Sequence, residues 1–324
     1  EQSPTRRYTQ INDQVPILVK FFSGDDLRPA FRLSRNSINM LVQMLPRQKA
    51  HGWSHEIEVL VTVYWLACGA SYRVTSDTSS MPLATVCRTV HNVVEEMMTI
   101  LHKVINFPKP EEMEEVGADF AGHEGTCDAK GTFKDVYTGN PGSVHDALIL
   151  RRSPMYQHAL YPPAGYFLLG DGGYPCLQHP IAIMTPYCQP VASQVEARYN
   201  RHHALAINII ECTFGMLKTC HFLEGLGDQA KTRWHAIFLR ALEIRPLFAP
   251  KVIGACCILH NICVMGGDLL EEEESHGQDG SEDDMENAPV DERDLSGNHL
   301  RGRLAAQLSS PEELPACLSE HDYI

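Results

Sequence analysis

Two carboxylates on separate elements are the residues with the most chemical reach in this sequence. Asp171 follows the apolar run Tyr166-Phe-Leu-Leu169, which reads as a buried strand, and sits in the step Gly170-Asp-Gly-Gly173. Open α/β sheets present ligands at the carboxyl ends of their strands. The two glycines that follow let the backbone turn away and leave that carboxylate open. Glu211 comes 40 residues later, where Ile207, Ile210, Phe214 and Leu217 recur at helical spacing and read as a buried stripe. Glu211 borders that stripe. A carboxylate at a strand end and one on a returning helix can together hold Mg²⁺ or Mn²⁺, with phosphate oxygens completing the shell. Taken singly, each has a plainer explanation: an Asp in a tight turn, a Glu on a solvated helix face.

Other chemistries are weaker. Cys257, His260 and Cys263 stand at three-residue spacing, but no fourth zinc ligand is near in sequence. A packed apolar helix explains them better. Eleven cysteines, an odd number with no Cys-x-x-Cys pair, argue for buried thiols in a reducing compartment rather than a disulfide framework. Neither a nucleophile elbow nor a phosphate loop is present, which removes support for a small-molecule hydrolase. A second functional surface is possible on Leu83 to Asn92, a helix with Thr85, Arg88, Thr89 and Asn92 on its polar face. Such residues reach base edges or phosphates from a groove-bound helix. The competing explanation is the solvated face of an ordinary helical bundle.

The elements that must position these residues fall into three regions. Residues 1–105 read as helical with helix-turn-helix character. The segments are Phe31 to Leu45, the strongly apolar Glu56 to Ala70, a polar turn over Ser76 to Met81, and a helix from Pro82 through Met97. Residues 106–266 mix strands and helices and imply an α/β domain. Asp128 to Gly131 is a turn between short extended runs, and Ser143 is placed to cap a helix carrying Asp146 in its first turn. Residues 267–324 lose apolar periodicity and read as an acidic, disordered tail.

The net charge of −14 is concentrated. Asp268 to Asp294 holds 13 acidic residues and one basic residue, a net of −12, which leaves −2 for the rest. Arg151 to Lys251 has ten basic and six acidic residues, a net of +4, so a DNA-facing surface is permitted there. Glu1 to Lys20 is polar and gives no secretory signal. The best apolar run, Val59 to Ala70, falls short of the ~18 residues of a membrane span. A soluble protein is expected.

An ordered set of short motifs adds to this picture. It comprises Phe133-Lys-Asp-Val136, Asn140-Pro-Gly-Ser-Val-His-Asp146, Leu169-Gly-Asp-Gly-Gly-Tyr-Pro175, Thr185-Pro-Tyr187, Glu196-Ala-Arg-Tyr-Asn-Arg201, Ile210-Glu-Cys-Thr-Phe-Gly-Met-Leu-Lys218, Ala249-Pro-Lys-Val252 and Ile258-Leu-His-Asn261. In this order they resemble the transposase-derived nucleases of the PIF/Harbinger superfamily, from Thr126 to Cys263 and more weakly from Phe31 to Val94. The resemblance implies an RNase H-like fold with a DDE carboxylate triad, in which Asp171 is the second Asp and Glu211 the Glu. It implies two Mg²⁺ or Mn²⁺ ions acting on DNA phosphodiesters, a DNA-binding helical N-terminal region, a Myb-like DNA-binding partner, no membrane association, and residence in the nucleus, with the cytoplasm also open.

The chain departs from the family pattern twice. The family's first Asp closes an apolar strand well ahead of the Cys127-Asp-Ala-Lys-Gly131 turn. Here Pro110 to Gly122 is acidic and no such strand fits, so the first strand and the first triad Asp are missing. Cys220 to Ala230 reads as an insertion, after which Lys231-Thr232 repeats the Lys218-Thr219 step. With two carboxylates in place of three, the expectation is a weak or inactive nuclease. The alternative is a non-catalytic DNA-binding or regulatory protein derived from a transposase. Asp119, Asp128 and Asp146 are the candidates to replace the lost ligand, although Asp146 is better explained by the helix dipole.

Overall fold

A computed structural model describes residues 7–8, 16–46, 52–108, 127–128, 130–139, 144–159, 161–218, 244–268 and 294–309. The chain divides into two compact units, 1–106 with 214–274 and 107–213 with 275–324. This differs from a division at 105 and 266, because each unit is assembled from two separated stretches of chain.

The first unit is helical. Its elements are α1 (Pro16–Ser23), α2 (Arg28–Phe31), α3 (Arg35–Met44), α4 (His55–Cys68), α5 (Tyr72–Ser79), α6 (Leu83–Thr99), α7 (Leu101–Val104) and α11 (Ala249–Gly266). Two-residue parallel strands β1 (Arg7–Tyr8) and β2 (Gly52–Trp53) join it. Ser34, Ser54 and Ser71 cap α3, α4 and α5 by accepting the backbone N–H of Ser37, Ile57 and Val74. Helix α4 is buried nearly all round, through Ile57, Val59, Leu60, Val63 and Leu66. Each such side chain contributes roughly 1.5–3 kcal/mol, so Leu60→Ala would cost about 2–5 kcal/mol.

Around α4 lie the expected apolar positions Leu33, Ile38, Leu41 and Leu45, all buried. Helix α11 packs against α3, α6 and α7. It is long and apolar enough to cross a membrane by length and composition, yet most of it is buried in the unit. Within it the Asn261 amide donates to the Val104 carbonyl at 3.1 Å.

The region read as a polar turn over Ser76 to Met81 largely belongs to helix α5. The turn itself is Ser80 to Pro82, with Ser80 in the left-handed region at φ 51°. A short Ser/Thr-rich helix has little hydrophobic period, so its cap carries more of the signal than its side chains do.

The second unit is α/β with a small parallel sheet. Strand β3 (Leu168–Leu169) pairs with β4 (Ile183–Met184), Leu168 opposite Ile183 and Leu169 opposite Met184. Helices α8 (Asp146–Arg152), α9 (Pro154–His158), α10 (Gln194–Lys218) and α12 (Leu295–Gln307) accompany it. Leu150, Leu168, Ile181 and Ile183 form its apolar centre, with Met155, Tyr156, Tyr161 and Tyr174 packed against it. The turn expected after Asp128 is present, closed by an antiparallel bridge between Cys127 and Phe133. His145, not Ser143, occupies the N-cap of α8, and Ser143 lies outside the described residues.

Helix α12 revises the expectation of a disordered tail over 267–324. Asp294 caps it, accepting from Ser296, and also accepts the Gln178 backbone N–H at 3.0 Å. Arg301 donates to the carbonyls of Thr185 and Pro186 and lies over the Tyr187 ring, 4.0 Å from its centroid. At Gly297 an added Cβ would meet the Cys176 carbonyl oxygen at 2.4 Å, so that helix turn requires glycine. The segment expected to lack the first strand, Asp119 and the expected 220–230 insertion lie outside the described residues.

Candidate metal centre

The site is built at the carboxyl end of β3. The Gly170 backbone N–H donates to the Met184 carbonyl at 2.9 Å, carrying the ladder one residue past the strand. The chain then turns. Asp171 Oδ1 accepts the Gly173 N–H at 2.8 Å, and the Tyr174 N–H returns to the Asp171 carbonyl. This short turn holds the Asp171 carboxylate at the strand end, exposed as its Gly-rich sequence suggested.

Helix α8 brings a second carboxylate to the same place. Asp146 is its first residue and lies one turn before Leu150 on the same helix face. Leu150 packs with Leu168 of β3, which seats the helix on the sheet. An ideal Cβ built on Gly173 would stand 3.1 Å from Asp146 Oδ2 and 3.1 Å from Asp171 Oδ1. The two oxygens are therefore at most about 6 Å apart, twice that distance. Burial, and after it the charge of Asp171, hold the Asp146 carboxyl above its usual range, while His145 pulls the other way. Tyr174 is pushed up to about 12 by burial and then by both carboxylates. Among the described residues neither Asp forms an ion pair with Lys or Arg.

Behind the turn lies His203 of α10, 5% exposed, with Nε2 3.3 Å from the Met184 carbonyl. A carbonyl only accepts, so this nitrogen carries the proton. Burial lowers the His203 pKa, and the Met184 and Gly170 carbonyls and Asp171 offset part of that. The ring thus ties α10 to the ends of β3 and β4. The inward face of α10 is Tyr199, His203, Ala206 and Thr213 rather than the expected stripe. Ile207 and Ile210 are half-buried and Phe214 is 44% exposed, while Leu217 is buried as expected. Glu211 lies in α10 eight residues after His203, and its side chain is outside the described residues.

Residues 105–261 match the DDE superfamily endonuclease family. This match covers just under half of the chain. The relatives agree. Mouse "Putative nuclease HARBI1" is 24% identical over 334 residues, covering 87% of this chain and 91% of the relative. The human protein of that name is 25% identical over 299 residues, covering 76% and 81%. "Protein ALP1-like" of Arabidopsis thaliana is 24% identical over 219 residues, covering 62% and 45%. The chain is thus similar over most of its length to proteins named as nucleases. No solved structure matches it.

The other candidate residues divide clearly. Asp128 accepts the Lys130 and Thr132 amides and pairs with Lys134 at 2.9 Å, so it is engaged locally. Cys257, His260 and Cys263 are buried in α11. Among the described residues no group of three His, Cys, Asp or Glu side chains is arranged to hold a metal. On α6, Arg88 is exposed, and Thr85 and Asn92 are half-buried. Thr89, placed on the polar face by its sequence, is 1% exposed and belongs to the core. Tyr174 and His203 were not singled out by sequence. The Tyr174 signal was its place beside Gly173, and His203 carries none, because a buried polar residue breaks the apolar stripe that would reveal it.

Proposed function

We propose that this chain is a metal-dependent DNA endonuclease of transposase descent. Its DDE domain is RNase H-like, with Asp171 and Glu211 as ligands of Mg²⁺ or Mn²⁺. The supporting observation is the convergence of the Asp171 and Asp146 carboxylates on Gly173 without a Lys or Arg partner among the described residues. Like charges brought together repel, and a divalent cation relieves that repulsion. The donor set, hard carboxylate oxygens, suits Mg²⁺ or Mn²⁺. A bound cation would supply charge stabilisation to a phosphodiester and its attacking oxygen. The chain's own part is positional: β3 and the Asp171 turn fix one ligand, and α10, anchored by His203, carries the other. Because the strand bearing the first triad Asp is lacking, cleavage is slow.

Nicking of supercoiled plasmid by the purified chain tests this. The expected result is weak Mn²⁺-dependent nicking that Asp171→Asn and Glu211→Gln abolish. Nicking that survives Asp171→Asn, or a chain that binds no Mn²⁺, would refute it.

A second, non-catalytic reading is favoured by one observation. Helices α5 and α6, joined by Ser80 to Pro82, have the form of a helix-turn-helix with Arg88 exposed on the second helix. On this reading the chain binds DNA through Thr85, Arg88 and Asn92 and regulates rather than cuts. Both readings place the protein in the nucleus beside a Myb-like DNA-binding partner, a proposal that follows the family resemblance.

A further inference from the structure

We propose that Arg301 is a positioning residue of the Asp171 centre: from helix α12 it fixes the chain leaving β4, and through that chain the strand end that carries Asp171. This rests on the metal-dependent reading above and adds a residue to it. Helix α12 lies beyond the matched residues 105–261, so the family match does not account for it.

The link is a continuous set of hydrogen bonds. The chain leaving β4 runs Met184-Thr-Pro-Tyr187, and Pro186 has no N–H with which to extend the ladder. Side chains take over, and each of the carbonyls is held. That of Met184 accepts the Gly170 N–H at 2.9 Å and the His203 Nε2–H at 3.3 Å. Those of Thr185 and Pro186 accept Arg301 Nη1 at 3.3 and 2.9 Å. That of Tyr187 accepts Asn200 Nδ2 at 2.9 Å, while the Tyr187 N–H donates to Asn200 Oδ1 at 2.8 Å. Gly170 directly precedes Asp171, so a displaced Met184 carbonyl moves the turn that holds the carboxylate.

Docking of α12 alone does not account for this arrangement. Asp294 and Gly297 already seat the start of the helix on the backbone of Gln178 and Cys176. Arg301 is aimed beyond that contact. Asn298, one turn earlier, accepts its Nη2 at 2.6 Å, and its guanidinium lies over the Tyr187 ring. Its Nε is buried without a hydrogen-bond partner among the described residues, a cost that the fixed direction of the fork imposes. Arg301 and Asp171 also act on the His203 pKa in opposite directions, so both lie within electrostatic reach of one buried ring.

Mn²⁺ binding to the full chain, read by the loss of the free-ion electron paramagnetic resonance signal, tests the assignment below the melting transition of each variant. Arg301→Ala should weaken binding by about tenfold or more, as loss of a partner behind a metal ligand does. Arg301→Lys, which keeps the cation but not the planar fork, should fall between Arg301→Ala and wild type. Asp294→Asn loosens the other end of α12 and should lower the melting temperature with Mn²⁺ affinity unchanged. If Arg301→Ala fails to fold, Arg301→Lys alone decides.

Wild-type affinity in the folded Arg301 variants, with binding lost in Asp171→Asn, overturns the positioning role and leaves the metal-dependent reading standing. Equal weakening in Asp294→Asn and Arg301→Ala overturns it too, because affinity would then follow the stability of α12. Absence of Mn²⁺ binding in the wild type overturns both readings.

Discussion

Replacing Gly173 with alanine separates metal binding from stability. Gly173 is not among the left-handed glycines, so its backbone accepts alanine. By restricting the unfolded chain, such a change stabilises by about 0.4–1 kcal/mol where it fits. The added methyl, however, would stand 3.1 Å from both Asp146 Oδ2 and Asp171 Oδ1. Ordinary contact is nearer to ~3.5 Å, so each oxygen must retreat by a few tenths of an ångström. Metal sites tolerate only about 0.2 Å of error in ligand distance. Ligand oxygens displaced by more than that should weaken Mn²⁺ binding by about ten- to a hundredfold, roughly 1.4–2.8 kcal/mol. Titration calorimetry with Mn²⁺ and a metal-free melting curve measure the two effects. Weakened binding at unchanged or slightly higher melting temperature is expected. Wild-type affinity in the alanine variant would show that no cation sits between these carboxylates.

Three further outcomes are expected. Arg301→Ala loses the Tyr187 stack and the bonds to Thr185 and Pro186, which weakens α12 docking by about 1–3 kcal/mol. Limited proteolysis should then cut within 294–309 more quickly. For Asp294, burial alone would raise the carboxyl pKa, but hydrogen bonds from the Ser296 hydroxyl and the Gln178, Ser296 and Gly297 amides outweigh it and hold the group below 3.8. A depressed folded value stabilises above the unfolded one and is lost as pH falls through it. Hydrogen exchange in α12 should therefore accelerate only below about pH 4, and Asp294→Asn should flatten that dependence. On α6, Arg88→Ala should weaken DNA binding and reduce the salt slope by about 1, while Thr89→Ala should lower the melting temperature instead. An unchanged slope in Arg88→Ala would remove the helix-turn-helix reading.

The parts of the site that were legible in the sequence are those that use common local rules. Asp171 was findable because an apolar strand followed by glycines advertises a turn at a sheet edge. The apolar helices were findable through Leu33, Ile38, Leu41 and Leu60, whose burial follows their period. What escaped relies on polar contacts satisfied at a distance. The inward face of α10 includes His203 and Thr213, whose hydrogen bonds go to the Met184 and Ile209 carbonyls, so hydrophobicity alone selected the wrong stripe. Helix α12 follows an acidic run and docks through Gly297, Arg301 and Asp294, none of which reads as core. Asp146 was assigned to its own helix because its neighbour Asp171 is 25 residues away in sequence and meets it only once α8 is seated on β3.

The two compact units are interleaved along the chain, and that order constrains their synthesis. Helix α11 completes the first unit only after β3, β4 and α10 of the second have been made. The second unit then waits for α12. After Met184, 123 more residues are added through Gln307, which at ribosomal speeds of 5–20 residues per second takes roughly 6–25 s. Through that interval the backbone at Cys176 and Gln178 and the ring of Tyr187 lack the helix that covers them. A nascent chain with its carboxylates in place but its sheet uncovered is a natural client for chaperones. A transcript ending before Asp294 would leave it in that condition permanently.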